Sequence, residues 1–68
     1  MARYYVNENA QRNGDHEVHK DGCSHMPAVQ NRIYLGDFNS CEPAVAEARK
    51  TFPRSNGCYY CCNACHTS

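Results

Sequence analysis

The sequence predicts a small α+β domain in which a short, mainly antiparallel β-sheet packs on one α-helix. Only one segment, at about 41–51, places apolar residues at helical spacing. Several shorter segments are rich in β-branched and aromatic residues and are bounded by glycine, asparagine or proline. A run of short strands followed by a single helix is typical of the α+β class.

The chain is too short to fold around a large apolar core. Its 68 residues include one leucine, one isoleucine, two phenylalanines and no tryptophan. A chain of this length buries only about 60% of its unfolded surface, so a metal, disulfides or a partner is usually needed as well. We expect one domain over 1–68, with a metal-binding core at about 16–62, an N-terminal strand at 3–6 and a polar loop at 7–15.

Three segments are predicted to be strands. Residues 3–6 and 16–19 are short and β-rich, and the Asn13-Gly14 turn signal lies in the polar loop between them. Residues 31–36 form the clearest strand, because Ile33, Tyr34 and Leu35 lie together and Gly36 ends the run. The segment at 55–57 is expected only to lead into the C-terminal cysteines.

The helix at about 41–51 has recognisable ends. Ser40 suits the N-cap, Pro43 lies in the first turn, where its missing N–H does no harm, and Pro53 stops the helix. One face of the helix carries the apolar residues Cys41, Ala44, Val45, Ala48 and Phe52.

Cysteine and histidine residues form two half-sites that are far apart in the sequence. The C-terminal run contains Cys58-x2-Cys61, and a two-residue gap lets two thiolates converge from one tight turn. Upstream, His19-x3-Cys23 encloses an Asp-Gly turn. Four nitrogen and sulfur ligands form a closed tetrahedral zinc site, so we predict one Zn²⁺ bound by His19, Cys23, Cys58 and Cys61.

Other residues near the half-sites leave alternatives open. His16 or His25 could replace His19. Cys62, Cys65 and His66 could bind a second, weaker metal, form a redox pair, replace a ligand or form a free or disulfide-linked tail. Cys41 is expected to be a buried free thiol on the helix face, with a disulfide to Cys62 or Cys65 as the alternative.

The charge pattern argues against several kinds of partner. Lysines and arginines balance acidic residues at a net charge of zero and are scattered, so no broad basic field for nucleic acid is present. The N-terminus lacks a signal-peptide run, and no stretch approaches the roughly 20 apolar residues of a membrane span. We therefore expect a cytoplasmic protein. In that reducing compartment, clustered thiols bind metals more often than they form disulfides.

The layout resembles the Ada-type metal-binding domain, which also occurs as small zinc modules attached to other bacterial proteins. The matching features are His19-x3-Cys23, the strand at 33–35, the helix at 41–51 and Cys58-x2-Cys61. The resemblance covers roughly residues 16–61 and implies a small α+β fold with tetrahedral zinc. In Ada proper, the domain binds DNA and a zinc-bound cysteine accepts a methyl group from a phosphotriester.

Two departures from the Ada pattern bear on function. His19 stands where Ada has a cysteine, and the chain continues past Cys61 with Cys62, Cys65 and His66. An imidazole in place of a thiolate makes the site less electron-rich, so we do not expect methyl transfer. We predict a non-enzymatic module in which zinc is structural and which mediates an interaction; the partner is not identified, and a protein is the candidate. The alternatives are a nucleic-acid-binding module and a thiol redox or metal-handling protein.

Overall fold

The computed structural model describes residues 1–67 as a four-stranded sheet and one α-helix. This architecture confirms the predicted α+β class. The elements are β1 (Ala2–Asn7), β2 (His16–Lys20), β3 (Arg32–Phe38), α1 (Cys41–Arg49) and β4 (Ser55–Gly57), with 3-10 turns at Val29–Asn31 and Asn63–Cys65.

The sheet is mixed, with strand order β3-β1-β2-β4. Strand β1 is central and runs antiparallel to both β2 and β3, whereas β4 runs parallel to β2. The three predicted strands are present with slightly different ends. The fourth was missed because Ser55-Asn56-Gly57 has no β propensity of its own. This strand forms because its backbone pairs with β2 in the register Ser55 to His16.

Helix α1 begins at Cys41 as predicted but ends at Arg49, two residues before the expected end. The amide groups of Lys50 and Thr51 bond three residues back, to Glu47 and Ala48, so the last turn is tightened. Ser40 occupies the N-cap position but makes no side-chain capping bond. One reason is that Pro43, at the third helical position, has no N–H to donate to it.

The predicted face of α1 lies on one side of the sheet. Buried side chains from both layers form the core: Tyr4, Val6, Val18, Cys41, Ala44, Val45, Ala48 and Cys62. Because side chains alternate along a strand, Tyr5 and its cross-strand neighbours His19 and Tyr34 lie on the opposite, helix-free face. The predicted zinc ligand on β2 therefore lies on the face away from α1.

A disulfide joins Cys41 to Cys65. The expectation that Cys41 is a free buried thiol was therefore wrong, and of the two alternative partners Cys65 is the one bonded. The 3-10 turn at Asn63–Cys65 carries the C-terminal segment back to the start of α1, which brings the two residues together. The bond fastens the C-terminal segment to the helix, and Cys23, Cys58, Cys61 and Cys62 remain free thiols.

Candidate metal centre

Folding brings together the four residues named from the two half-sites. One ligand atom from each of His19, Cys23, Cys58 and Cys61 lies within 4.8 Å of the other three. The Cys23 and Cys58 sulfurs are 4.0 Å apart, and the Cys61 sulfur is 4.0 Å from His19 Nδ1. His19 and Cys58 are buried, while Cys23 and Cys61 are partly exposed. Such a cluster of soft donors could hold a metal ion.

The first half-site is formed where β2 ends in a tight turn. His19 is held by the register of β2 against β1, where it lies opposite Tyr5. The chain then turns at Gly22, whose φ of +91° is a conformation that glycine adopts at little cost. The Cys23 amide donates to the Lys20 carbonyl at 3.0 Å, which closes the turn and returns the thiol toward His19.

The second half-site follows directly from β4. The Cys58 amide donates to the Val18 carbonyl at 2.9 Å, which extends the parallel pairing by one residue and places Cys58 beside His19. The Cys62 amide then donates to the Cys58 carbonyl at 2.9 Å, so residues 58–62 form one turn. That turn brings the Cys61 sulfur close to His19 and Cys58.

Backbone amide groups point at all three cysteine sulfurs of this cluster. Cys23 Sγ accepts from the His25 amide at 3.4 Å, and Cys58 Sγ accepts from the Tyr60 amide at 3.4 Å, each two residues further along the chain. Cys61 Sγ accepts from the Lys20 amide at 3.2 Å, across the two half-sites. Hydrogen bonds to a sulfur favour its anionic form, which is the form that binds metals.

Burial of the cluster disfavours the charged forms of its side chains when no metal is bound. Burial lowers the pKa of His19, an effect that the nearby Glu17 carboxylate partly opposes. Burial, followed by a hydrogen bond that the Cys61 S–H donates to Cys23, raises the pKa of the Cys61 thiol well above its ordinary value. His19 is therefore held in the neutral form that metals bind, whereas Cys61 must lose a proton on binding.

The two histidines that could have replaced His19 are engaged elsewhere. His16 stacks on Phe52 with ring centroids 4.0 Å apart, and its Nδ1 bonds to the Asn7 carbonyl at 2.9 Å. His25 stacks on the exposed ring of Tyr60 at 3.8 Å. Neither belongs to the four-residue cluster.

The three alternative C-terminal ligands also lie outside the cluster. Cys65 is bonded to Cys41, and His66 Nδ1 donates to the Gly57 carbonyl at 3.1 Å. Cys62 is buried in the core with its sulfur 3.9 Å from that of Cys61. The second Cys-x2-Cys pair of the C-terminal run, Cys62 and Cys65, is thus divided between a disulfide and a core thiol.

The donor set fits a tetrahedral zinc ion. Zinc–sulfur bonds of about 2.3 Å give sulfur–sulfur edges of roughly 3.8 Å in a tetrahedron. The 4.0 Å separation of the Cys23 and Cys58 sulfurs is close to that edge, and all four ligand atoms lie within 4.8 Å of one another, so only a small contraction is needed. Three thiolates and one imidazole are also among the usual ligand sets of structural zinc.

Comparison with protein-family models, with curated proteins and with solved structures finds no significant match. Within the described residues 1–67, no helix is long and apolar enough to cross a membrane.

Proposed function

We propose that this chain is a small zinc-stabilised module of the Ada-like type that binds a protein partner and has no enzymatic activity. The observation that most strongly supports a metal-stabilised module is the convergence of His19, Cys23, Cys58 and Cys61 from two distant turns. Backbone amide groups already directed at the three sulfurs support the same proposal.

In this proposal the metal has a structural role, because it links two distant parts of the chain. The four residues belong to turns that follow β2 and β4, and the chain between them contains β3 and α1. Zinc bound by all four would close that long loop and hold β4 against β2. Binding of structural zinc contributes on the order of 10 kcal/mol in zinc-finger peptides, which is enough to decide whether so thin a core folds.

The position of a cavity away from the proposed metal ligands supports a non-enzymatic role. A cavity of about 230 Å³ lies between α1 and the C-terminal segment, and its lining includes Val45, Arg49 and Cys65. None of the four proposed ligands lines it. Four protein ligands would complete a tetrahedral site, as is typical of structural zinc, whereas catalytic zinc keeps one position open.

A cytoplasmic location remains a prediction. Thiol clusters that bind metal are typical of reducing compartments, whereas a disulfide such as Cys41–Cys65 is more usual in oxidising ones. Whether Cys41 and Cys65 are reduced or bonded in cells would distinguish a reducing compartment from an oxidising one.

The alternative of a nucleic-acid-binding module is favoured by one feature of the helix-free face. The rings of Tyr5 and Tyr34 lie 5.4 Å apart, Arg32 lies 5.5 Å over the Tyr5 ring, and Tyr34 is 54% exposed. Exposed aromatic rings next to arginine can stack on unpaired bases. Binding of a labelled oligonucleotide at low salt, lost in Tyr34→Ala and kept in Tyr60→Ala, would favour this alternative.

The mass of the intact protein tests the metal proposal. We expect a native mass heavier by one zinc, and after denaturation without reductant a mass two hydrogens below that of the fully reduced chain. Cys58→Ala should lose the zinc, and Cys62→Ala should keep it. A metal-free parent, or zinc lost equally from both variants, would contradict the proposed site.

A chelator tests the structural role of the metal. Removing zinc should abolish the cooperative unfolding transition, and adding zinc back should restore it. If the metal-free protein keeps the same cooperative unfolding transition, the metal does not have the proposed structural role.

A further inference from the structure

The two ring nitrogens of His19 lie in different surroundings. Nδ1 is 4.0 Å from the Cys61 sulfur and so faces the proposed metal ligands. Nε2 is buried and has no hydrogen-bond partner. A neutral imidazole that binds a metal through Nδ1 carries its proton on Nε2, so this arrangement would leave a buried donor without an acceptor.

One carboxylate lies next to that nitrogen. Glu17 Oε1 is 3.6 Å from His19 Nε2, just beyond hydrogen-bonding distance, and the Glu17 side chain is 22% exposed. Glu17 precedes His19 by two residues on β2, so both side chains lie on the helix-free face of the sheet. Among residues 1–67, the His19 ring is the basic group that the structure places within 4.0 Å of the Glu17 carboxylate.

We propose that Glu17 is a positioning residue for the metal centre. Its carboxylate accepts the Nε2–H of His19, which fixes the tautomer in which Nδ1 is free to bind the metal and holds the ring in the plane that the site requires. Histidines that bind metals almost always donate their other ring N–H to a carboxylate, a carbonyl or a water molecule, and loss of that acceptor commonly weakens binding 10–100-fold. This inference rests on the proposed zinc site.

The neighbouring strand supports this assignment. Asn56 is the partner of Glu17 in the parallel pairing of β2 with β4, and its Nδ2 donates to Asp15 Oδ2 at 2.7 Å. The Asn56 amide nitrogen is thus directed toward Asp15, which precedes β2, at the end of β2 and β4 opposite the metal turn, and the buried Asn56 Oδ1 has no hydrogen-bond partner. The carboxylate that the structure places near His19 Nε2 is that of Glu17, at 3.6 Å.

The tautomer can be read from the parent protein alone. Long-range proton–nitrogen correlation spectra of ¹⁵N-labelled, zinc-loaded protein should show His19 Nε2 as protonated and Nδ1 as the metal-bound nitrogen. A spectrum in which Nε2 binds the metal would overturn the role of Glu17, even though the zinc site itself stands. This measurement needs no variant, so it does not depend on how well a variant folds.

Variants test the acceptor itself by chelator competition for zinc. Glu17→Ala should bind zinc 10–100-fold more weakly, whereas Glu17→Gln, which keeps an acceptor oxygen, should lose less than tenfold. Glu8→Ala removes an exposed carboxylate at the end of β1 and should bind as the parent does. Parent-like affinity of Glu17→Ala would overturn the inference alone, while a parent that binds no zinc would overturn the zinc site and the inference together.

Discussion

Gly57 and Cys62 are packed so closely that no side chain fits at position 57. A Cβ on Gly57 would lie 2.5 Å from the Cys62 carbonyl oxygen and 2.7 Å from the Cys65 Cβ. The atoms it would meet include backbone, which cannot swing aside as a flexible side chain could. This contact joins β4, the metal turn and the disulfide-bonded segment at one point.

Replacing Gly57 by alanine should therefore both destabilise the fold and weaken zinc binding. Overpacking of this kind usually costs about 1–3 kcal/mol, and here it would also displace Cys58, the next residue and a proposed ligand. Urea unfolding and chelator competition measure the two effects. Gly14→Ala is the control, because Gly14 lies in the polar loop at a φ of +92° and should lower stability without changing zinc affinity. Parent-like zinc affinity in Gly57→Ala would show that the turn adapts.

Substitution of histidines should distinguish the proposed ligand from its neighbours. His19→Ala removes a ligand and should lose most zinc affinity, whereas His25→Ala removes only a ring stacked on Tyr60 and should keep it. Cobalt substitution gives a visible spectrum that reports the coordination of each variant. Equal loss in both variants would mean that His25 also binds the metal.

Removal of the disulfide should cost stability but leave the metal in place. The bond closes a loop with a sequence separation of 24, for which chain-entropy arguments give about 3.5 kcal/mol. The double variant Cys41→Ala/Cys65→Ala should therefore unfold at lower urea concentration than the parent while still binding one zinc. Loss of zinc in this variant would show that the metal turn depends on the C-terminal segment being fastened to α1.

Zinc affinity should rise with pH through the neutral range. The raised pKa of Cys61 means that its thiol is protonated at neutral pH, so binding releases that proton and becomes easier as pH increases. The lowered pKa of His19 means that its ring is already neutral above about 6.5, its ordinary value, and adds nothing to this dependence there. Calorimetric titration in two buffers of different ionisation enthalpy counts the protons released. A count of zero at pH 7 would contradict the protonated state of Cys61.

Much of the candidate site could be predicted because its signals are local. Cys58-x2-Cys61 and His19-x3-Cys23 each lie within a single turn, and a turn can be recognised from its own glycines and spacing. The buried face of α1 could be predicted equally well, because Cys41, Ala44, Val45 and Ala48 recur at the helical period. The α+β class follows from these same local patterns.

The sequence by itself determined which residues can form a helix face and which can serve as soft metal donors, because both properties depend on residue type and short spacing. Only the tertiary structure decided that Ser55–Gly57 is a strand, that Cys65 bonds to Cys41, and that His19 presents Nδ1 to the sulfurs and Nε2 to Glu17. Those outcomes depend on segments up to about forty residues apart meeting in one register, and local propensity carries no information about such encounters.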